Sequence, residues 1–263
     1  MELQKRFFDY YLKGESNGWI DEPRVWLNLR KPFSDEFELR KENEWPLART
    51  QWTKLHLDGE NDCLEWDPPQ SEGSKSFEAL GEGIRLTSPP MKSKTEITGP
   101  MALKLFLSSS TTDADLFVTV QAWSEDGKEV EFQGTVDPHT PLAQGWLRAS
   151  HRKLDPEKSL PYRPFHTHDE KMPLRPEQIV ELDVEIWPTC IVLPEGFTIS
   201  IDIRGKDFER PGEDANPAFP SRGSGPWYHD HPQDRPKDVF GGTTTLHTGG
   251  EHQSYLLLPI IPA

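Results

Sequence analysis

Apolar and polar residues alternate one by one in run after run along this chain, and that alternation restricts the fold more than any other feature. In Gln178–Trp187, Val180, Leu182, Val184 and Ile186 interleave with Glu181, Asp183 and Glu185. Successive side chains of an extended strand point to opposite faces, so this run has one face for a core and one for water. Gly196–Gly205 repeats the pattern with Phe197, Ile199, Ile201 and Ile203, and is the expected neighbour of the first run, with 188–194 as their connection. Arg24–Arg30, Ala102–Ser108 and Asp115–Trp123 alternate in the same way. Shorter strands are expected at Gln51–Leu57, Ile84–Thr87, Gly145–Ser150, Thr243–Thr248 and Ser254–Leu258. No helical periodicity separates them, and 25 Pro with 19 Gly interrupt the chain too often for a helix bundle. The expectation is an antiparallel β-sandwich or jelly roll rather than a parallel α/β enzyme.

The first thirteen residues depart from this pattern. Leu3, Phe7, Tyr10 and Tyr11 fall at helical spacing, Phe8 and Leu12 widen the same face, and Gly14 ends the segment. That helix carries more aromatic surface than an exposed terminal helix should, so it expects something to pack against. The intervals 58–83, 155–176 and 207–238 are polar and rich in Pro and read as ordered surface loops, and the chain has no internal repeat.

Composition removes several functions. A net charge of −15 without any basic stripe argues against a nucleic-acid binder. The longest apolar run, Tyr255–Ile261, is far shorter than the roughly 18 residues of a membrane helix. The residues after Met1 contain no apolar signal region, which tilts location towards the cytosol unless the chain begins inside a longer one. Cys63 and Cys190 stand far apart and are read as two unpaired, buried thiols.

Four constellations invite a chemical reading. Gly14-Glu15-Ser16-Asn17-Gly18 matches the G-x-S-x-G of serine hydrolases, but that elbow needs a strand before it and a helix after it. Here a helix precedes and a loop follows, so Gly14 and Gly18 are expected to be a helix stop and a turn, and Ser16 is not expected to be catalytic. His166-x-His168-Asp169, His229-Asp230-His231, His247 and His252 have spacings that suit a metal ion if they lie on strands. They fall in loops, where histidine commonly serves as a surface hydrogen-bonding residue. Nine Trp could include sugar platforms, with Trp19, Trp26, Trp45, Trp52, Trp66 and Trp227 as candidates, or they could fill a core short of aliphatics. Asp113 and Asp115 are a weak calcium candidate. No cofactor motif is present.

A longer, ordered set of motifs resembles one family. Phe7-Phe8-Asp9-Tyr10-Tyr11-Leu12-Lys13-Gly14, Trp45-Pro46-Leu47-Ala48-Arg49-Thr50, Thr98-Gly99-Pro100, Asp113-Ala114-Asp115-Leu116, 145–152, 161–168, Ile186-Trp187-Pro188-Thr189 and 254–259 resemble the C-terminal part of the CocE/NonD hydrolases. That family includes cocaine esterase, α-amino-acid ester hydrolases and Xaa-Pro dipeptidyl-peptidases. The resemblance implies a galactose-binding-like jelly-roll β-sandwich over 19–263, the X-Pro dipeptidyl-peptidase C-terminal domain. It also implies that 1–18 is the last helix and junction of an α/β-hydrolase domain. In such enzymes the Ser-Asp-His triad lies in the hydrolase domain, and none of its members maps onto a position here. The implied partner is that catalytic domain, or a second copy of the chain. Phe7, Phe8 and Tyr11 are the candidate interface residues.

Overall fold

The structure, a computed structural model, describes residues 2–134, 139–210 and 228–262. It opens with helix α1 (Glu2–Lys13). Strands then follow as β1 (Val25–Arg30), β2 (Phe37–Glu42), β3 (Gln51–Asp58), β4 (Cys63–Glu65), β5 (Gly73–Glu78), β6 (Ile84–Thr87) and β7 (Thr95–Ser109). After these come β8 (Asp115–Trp123), β9 (Ala143–Arg148), β10 (Val180–Leu193), β11 (Thr198–Arg204), the short helix α2 (Lys237–Phe240), β12 (Thr243–Thr248) and β13 (Tyr255–Ile261). The thirteen strands form one curled sheet in the order β2-β1-β10-β7-β13-β3-β4-β6-β11-β8-β9, with β12 and β5 branching from β7. The all-β expectation holds, and the sheet folds over a single large core that its two halves share.

The 15-residue β7 is the hub of that sheet, because it is paired with β10, β12 and β13. Its backbone groups are spent within the sheet and most of its side chains are buried, so it reads as an apolar run instead of an alternating one. The register breaks beside it on two flanks: β10 shifts between Ile186 and Thr189, and β13 between Leu257 and Ile260. Pro188, Pro259 and the Pro100 of β7 fall in these gaps. A proline has no N–H for the ladder, so three neighbouring strands placing theirs at one level confine the lost hydrogen bonds to a single bulged seam. Gly99 completes the seam: its φ is +148°, and a Cβ there would sit 2.7 Å from the Cβ of Pro259.

Several expectations change. The connection expected at 188–194 is instead the second half of β10, carried past Pro188 by the bulge. The expected pairing of 178–187 with 196–205 does not form, because β10 pairs with β7 and β1 while β11 pairs with β6 and β8. Residues 194–197 act as a corner between layers, turning at Gly196 with φ +83°, so the two apolar faces meet across the core rather than edge to edge. The interval 58–83 is not all loop, for it holds β4 and β5, and β2 was not expected at all. The strand expected at 145–150 is β9, followed by a 3-10 turn over Ala149–His151. The interval 155–176 holds no named strand, as expected; of 207–238, residues 211–227 lie outside the described residues.

The two halves of the sheet meet closely at Gly145 of β9. A Cβ on that residue would lie 2.2 Å from the carbonyl oxygen of Glu185 and 2.7 Å from Cδ1 of Ile186, both on β10. The backbone oxygen cannot step aside as a side chain can. Gly145→Ala is therefore expected to lower the free energy of unfolding by about 1–3 kcal/mol, whereas Leu39→Ala, at a half-exposed site, changes it by less than about 1 kcal/mol. Urea unfolding of both variants checks this.

Candidate functional site

Helix α1 inverts the arrangement of an ordinary surface helix. Its buried residue is Asp9, covered by Lys5 (2.5 Å) and Lys13 (2.6 Å), while Phe8, Tyr11 and Leu12 are 51%, 58% and 76% exposed. Hydrogen bonds from Lys13 and Lys5 hold the Asp9 carboxyl below its ordinary pKa. The rings form a chain, with Phe7 4.8 Å from Tyr11 and 5.2 Å from Phe8, and Phe7 also leans on Trp19 at 5.3 Å. Arg6 anchors the helix to the following segment through Glu22 at 2.6 Å, and the Asn17 side-chain amide donates to the Arg6 carbonyl at 2.8 Å. The candidate interface residues Phe7, Phe8 and Tyr11 thus lie together on an outward-facing aromatic surface.

That surface belongs to a wider asymmetry. Among the described residues, ten of the thirteen exposed large apolar side chains fall within residues 3–45. Beyond α1 they are Ile20, Phe33, Phe37, Leu39 and Trp45, from the first turn, the β1–β2 connection, β2 and the loop after it. Scattered exposed apolar residues are normal on any protein, so what distinguishes this chain is their concentration in its first 45 residues. The sequence pointed to the helix alone. Phe37 and Leu39 went unread because the other face of β2 is charged, with Arg40 bound to Glu96 and Glu42 to Arg49.

The remaining candidates take up structural positions. Gly14 has φ +69° and its N–H meets the Tyr10 carbonyl at 3.2 Å, which is the αL form of helix stop, while the Glu15 N–H reaches the Asp9 carbonyl at 3.1 Å. Gly18, at φ +76°, leads into a 3-10 turn, and Ser16 sits exposed between the two. His166 and His168 have ring centres 5.9 Å apart, His229 is held by Asp207 at 2.9 Å, and His247 bonds Ser108 at 2.9 Å. Among the described residues, no three His, Cys, Asp or Glu gather into a group that could hold a metal ion. Asp113 accepts from the backbone N–H groups of Ala114 and Ser150, and Asp115 is bound by Arg148 and Arg235. Trp52 is stacked on Tyr162 at 4.3 Å, Trp19 lies under Phe7 and Trp66 packs on the core. Trp26 has Lys41 over its ring, Trp45 is exposed, and Trp227 lies outside the described residues. Both thiols are free and half-buried rather than fully buried, and burial together with Glu65 pushes that of Cys63 up to about 11. No helix among the described residues is long and apolar enough to cross a membrane.

Comparison with known proteins gives one consistent answer. Residues 17–257 match the family described as the X-Pro dipeptidyl-peptidase C-terminal non-catalytic domain. The cocaine esterase of Rhodococcus is 21% identical over an alignment covering 98% of this chain and 45% of its own length. A candidate serine esterase of Mycobacterium bovis is 26% identical, over 77% of this chain and 35% of its own. The crystal structure of a CocE/NonD family hydrolase from Staphylococcus aureus superposes with a TM-score of 0.85 at 30% identity, over 99% of this chain and 45% of that one. The chain therefore spans less than half the length of these relatives.

The histidines generate a pH dependence. Burial lowers the pKa of His166, with His168 adding to it; burial and His252 act likewise on His247, and burial and Lys54 on His56. The unfolded chain then binds protons that the fold resists, so stability is fully present above the ordinary histidine value of about 6.5 and falls as pH drops below it. The urea midpoint is expected to decline between about pH 6.5 and 5, before the carboxylates titrate, and to decline less steeply in His166→Gln.

Proposed function

Because the chain belongs to the family of X-Pro dipeptidyl-peptidase C-terminal non-catalytic domains, we propose that it is the accessory domain of a CocE/NonD-type serine hydrolase, docked on an α/β-hydrolase catalytic domain whose active-site entrance it helps to shape. The observation that carries this reading is the concentration of exposed apolar side chains in residues 3–45. A stable contact between domains has an apolar centre rich in aromatics, and α1 offers Phe7, Phe8 and Tyr11 for it. In this reading residues 1–18 are the closing helix and junction of the catalytic domain, and residues 19–263 are the jelly roll. The length of the relatives outside the matched region leaves room for a catalytic domain ahead of α1.

The chemistry belongs to the partner. Acyl transfer by such an enzyme needs a serine raised on a strained turn, a histidine that takes its proton, a carboxylate that orients the histidine and an oxyanion hole. In this reading the nucleophile is not Ser16, the serine of the one G-x-S-x-G sequence considered above, because the turn there closes a helix instead of opening one. Its contribution is to cover one side of the catalytic domain and to restrict water and substrate there, which strengthens the partner's electrostatics without adding a reacting group. Whether the parent cleaves esters or Xaa-Pro peptides is a property of the catalytic domain.

The purified chain is expected to resist a fluorophosphonate serine probe and to turn over neither p-nitrophenyl esters nor Xaa-Pro anilides. Labelling of Ser16 together with turnover would overturn the proposal. With a CocE/NonD-type catalytic domain supplied in trans, the chain is expected to form a complex that Phe8→Asp plus Tyr11→Asp weakens by about tenfold or more, read by size-exclusion chromatography and titration.

A further inference from the structure

The strand pair β8–β9 ends at a cleft of about 460 Å³, closed on the other side by residues 228–235. Its size lies in the usual range for small-molecule sites. Seven of its thirteen lining residues carry rings, which makes it ring-rich, with Phe117 in the floor and Trp146 in the wall. Beside Trp146, and edge-on to it at 5.3 Å, stands Trp187, whose 61% exposure continues the aromatic wall to the surface. Neither tryptophan was among the sequence-level sugar candidates.

The charges of the cleft cancel. Arg148 and Arg235 are matched by Asp115 and Asp234. Arg148 donates to Asp115 at 2.7 and 2.9 Å, and Arg235 donates to it at 2.9 Å. Other guanidinium hydrogen bonds end on main-chain carbonyls of His229, Gly205 and Asp234. With its cations turned inward, the site is not built for a phosphate or carboxylate.

What remains for a ligand is a set of imidazoles. Asp207 accepts from the backbone N–H of His229 at 2.6 Å and from its Nδ1–H at 2.9 Å, leaving Nε2 of that ring as an acceptor. Nδ1 of His151 and Nδ1 of His168 lie 3.1 Å apart, so one donates to the other. The two rings then present one acceptor and one N–H donor through their Nε2 atoms. His168 holds this position from a left-handed backbone, φ +53°, a conformation that costs energy in a non-glycine residue and clusters at binding sites. Donor and acceptor nitrogens in alternation suit hydroxyl groups, which do both, and a tryptophan wall suits a ligand with an apolar C–H face.

We infer that this cleft binds a neutral mono- or disaccharide, stacked on Trp146 and hydrogen-bonded to the imidazoles of His151, His168 and His229. The inference is independent of the docking proposal, since neither the cleft nor its ligand involves α1. The test is calorimetric titration of the chain, with tryptophan fluorescence alongside, using glucose, galactose, maltose and cellobiose, and with sodium sulfate and phenol as anionic and plain aromatic probes. At least one sugar is expected to saturate, and sulfate and phenol are not. Trp146→Ala is expected to weaken the sugar by about tenfold or more, with Trp146→Phe recovering most of the loss. His151→Ala, at the rim, is expected to weaken it several-fold with the fold intact, and Leu160→Ala, exposed and outside the cleft, to leave it unchanged. Saturation by sulfate or phenol in place of every sugar, no binding of any sugar, or sugar affinity indifferent to both Trp146→Ala and His151→Ala would each overturn the inference.

Discussion

The proline seam beside β7 is the constraint on which the rest of this structure depends. A central strand paired on both sides cannot normally tolerate a neighbour that lacks an N–H, and here β7, β10 and β13 each bring one proline. By shifting register at the same level they lose ladder bonds in one place and keep long, regular pairings above and below it. Those pairings bury Leu103, Leu105 and Leu107 of β7 against Leu182, Val184 and Ile186 of β10 and Leu256 and Leu258 of β13. The seam also decides what β10 is. Without a bulge at Trp187–Pro188 the strand would stop there, Ile191 would not reach Arg30 of β1, and β2 would have no sheet to join. The exposed Phe37 and Leu39 of β2 and the exposed Trp187 are thus both consequences of how three prolines were accommodated.

Apolar residues are only 34% of this chain, and their placement shows what that minimum serves. Nearly all the strand aliphatics are in the shared core, and among the described residues the large apolar side chains left exposed are gathered towards the N-terminus. A domain folded for its own sake would spend Phe8, Tyr11 and Leu12 inside and turn Asp9 to solvent. Helix α1 does the opposite, at no gain to the chain by itself, and that inversion is what the proposed docking would use.

The legibility of this sequence follows from where each signal sits. β8 was readable to the residue because its alternation is uninterrupted. β10 was readable only to Trp187, since a proline ends a strand by local rules and its rescue comes from Gly99 and Pro259, distant in sequence. The pairing of β10 with β11 was misjudged because two amphipathic strands joined by a short connection look alike whether they form a hairpin or turn a corner between layers. Only the backbone at Gly196 separates the cases. β5 and β4 carry too few apolar residues to announce themselves, because β5 pairs along a polar ladder with Thr-rich β12. The aromatic face of α1 was legible from spacing alone, since four- and seven-residue offsets are local. The cleft was not, because its walls come from β8, β9 and residues 228–235, which only the curl of the sheet brings together.

The same distinction governs motifs. Gly14-Glu15-Ser16-Asn17-Gly18 has the letters of a nucleophile elbow, yet an elbow works by forcing a strand to reverse into a helix so that the serine stands beside free N–H groups. Here the N–H groups of Gly14 and Glu15 are spent on carbonyls of the helix that they terminate, so the turn is built to stop a helix and not to start one. The glycines have positive φ in both settings, and the difference lies in which side of the turn the helix occupies. Asp207 and His229 make the complementary point: a carboxylate that fixes an imidazole tautomer is familiar from catalytic triads, and here the pair leaves Nε2 of the ring as a hydrogen-bond acceptor. Letters and pairs familiar from catalysis thus acquire their meaning from the elements on either side of them, and in this chain those elements differ from a hydrolase's at Ser16.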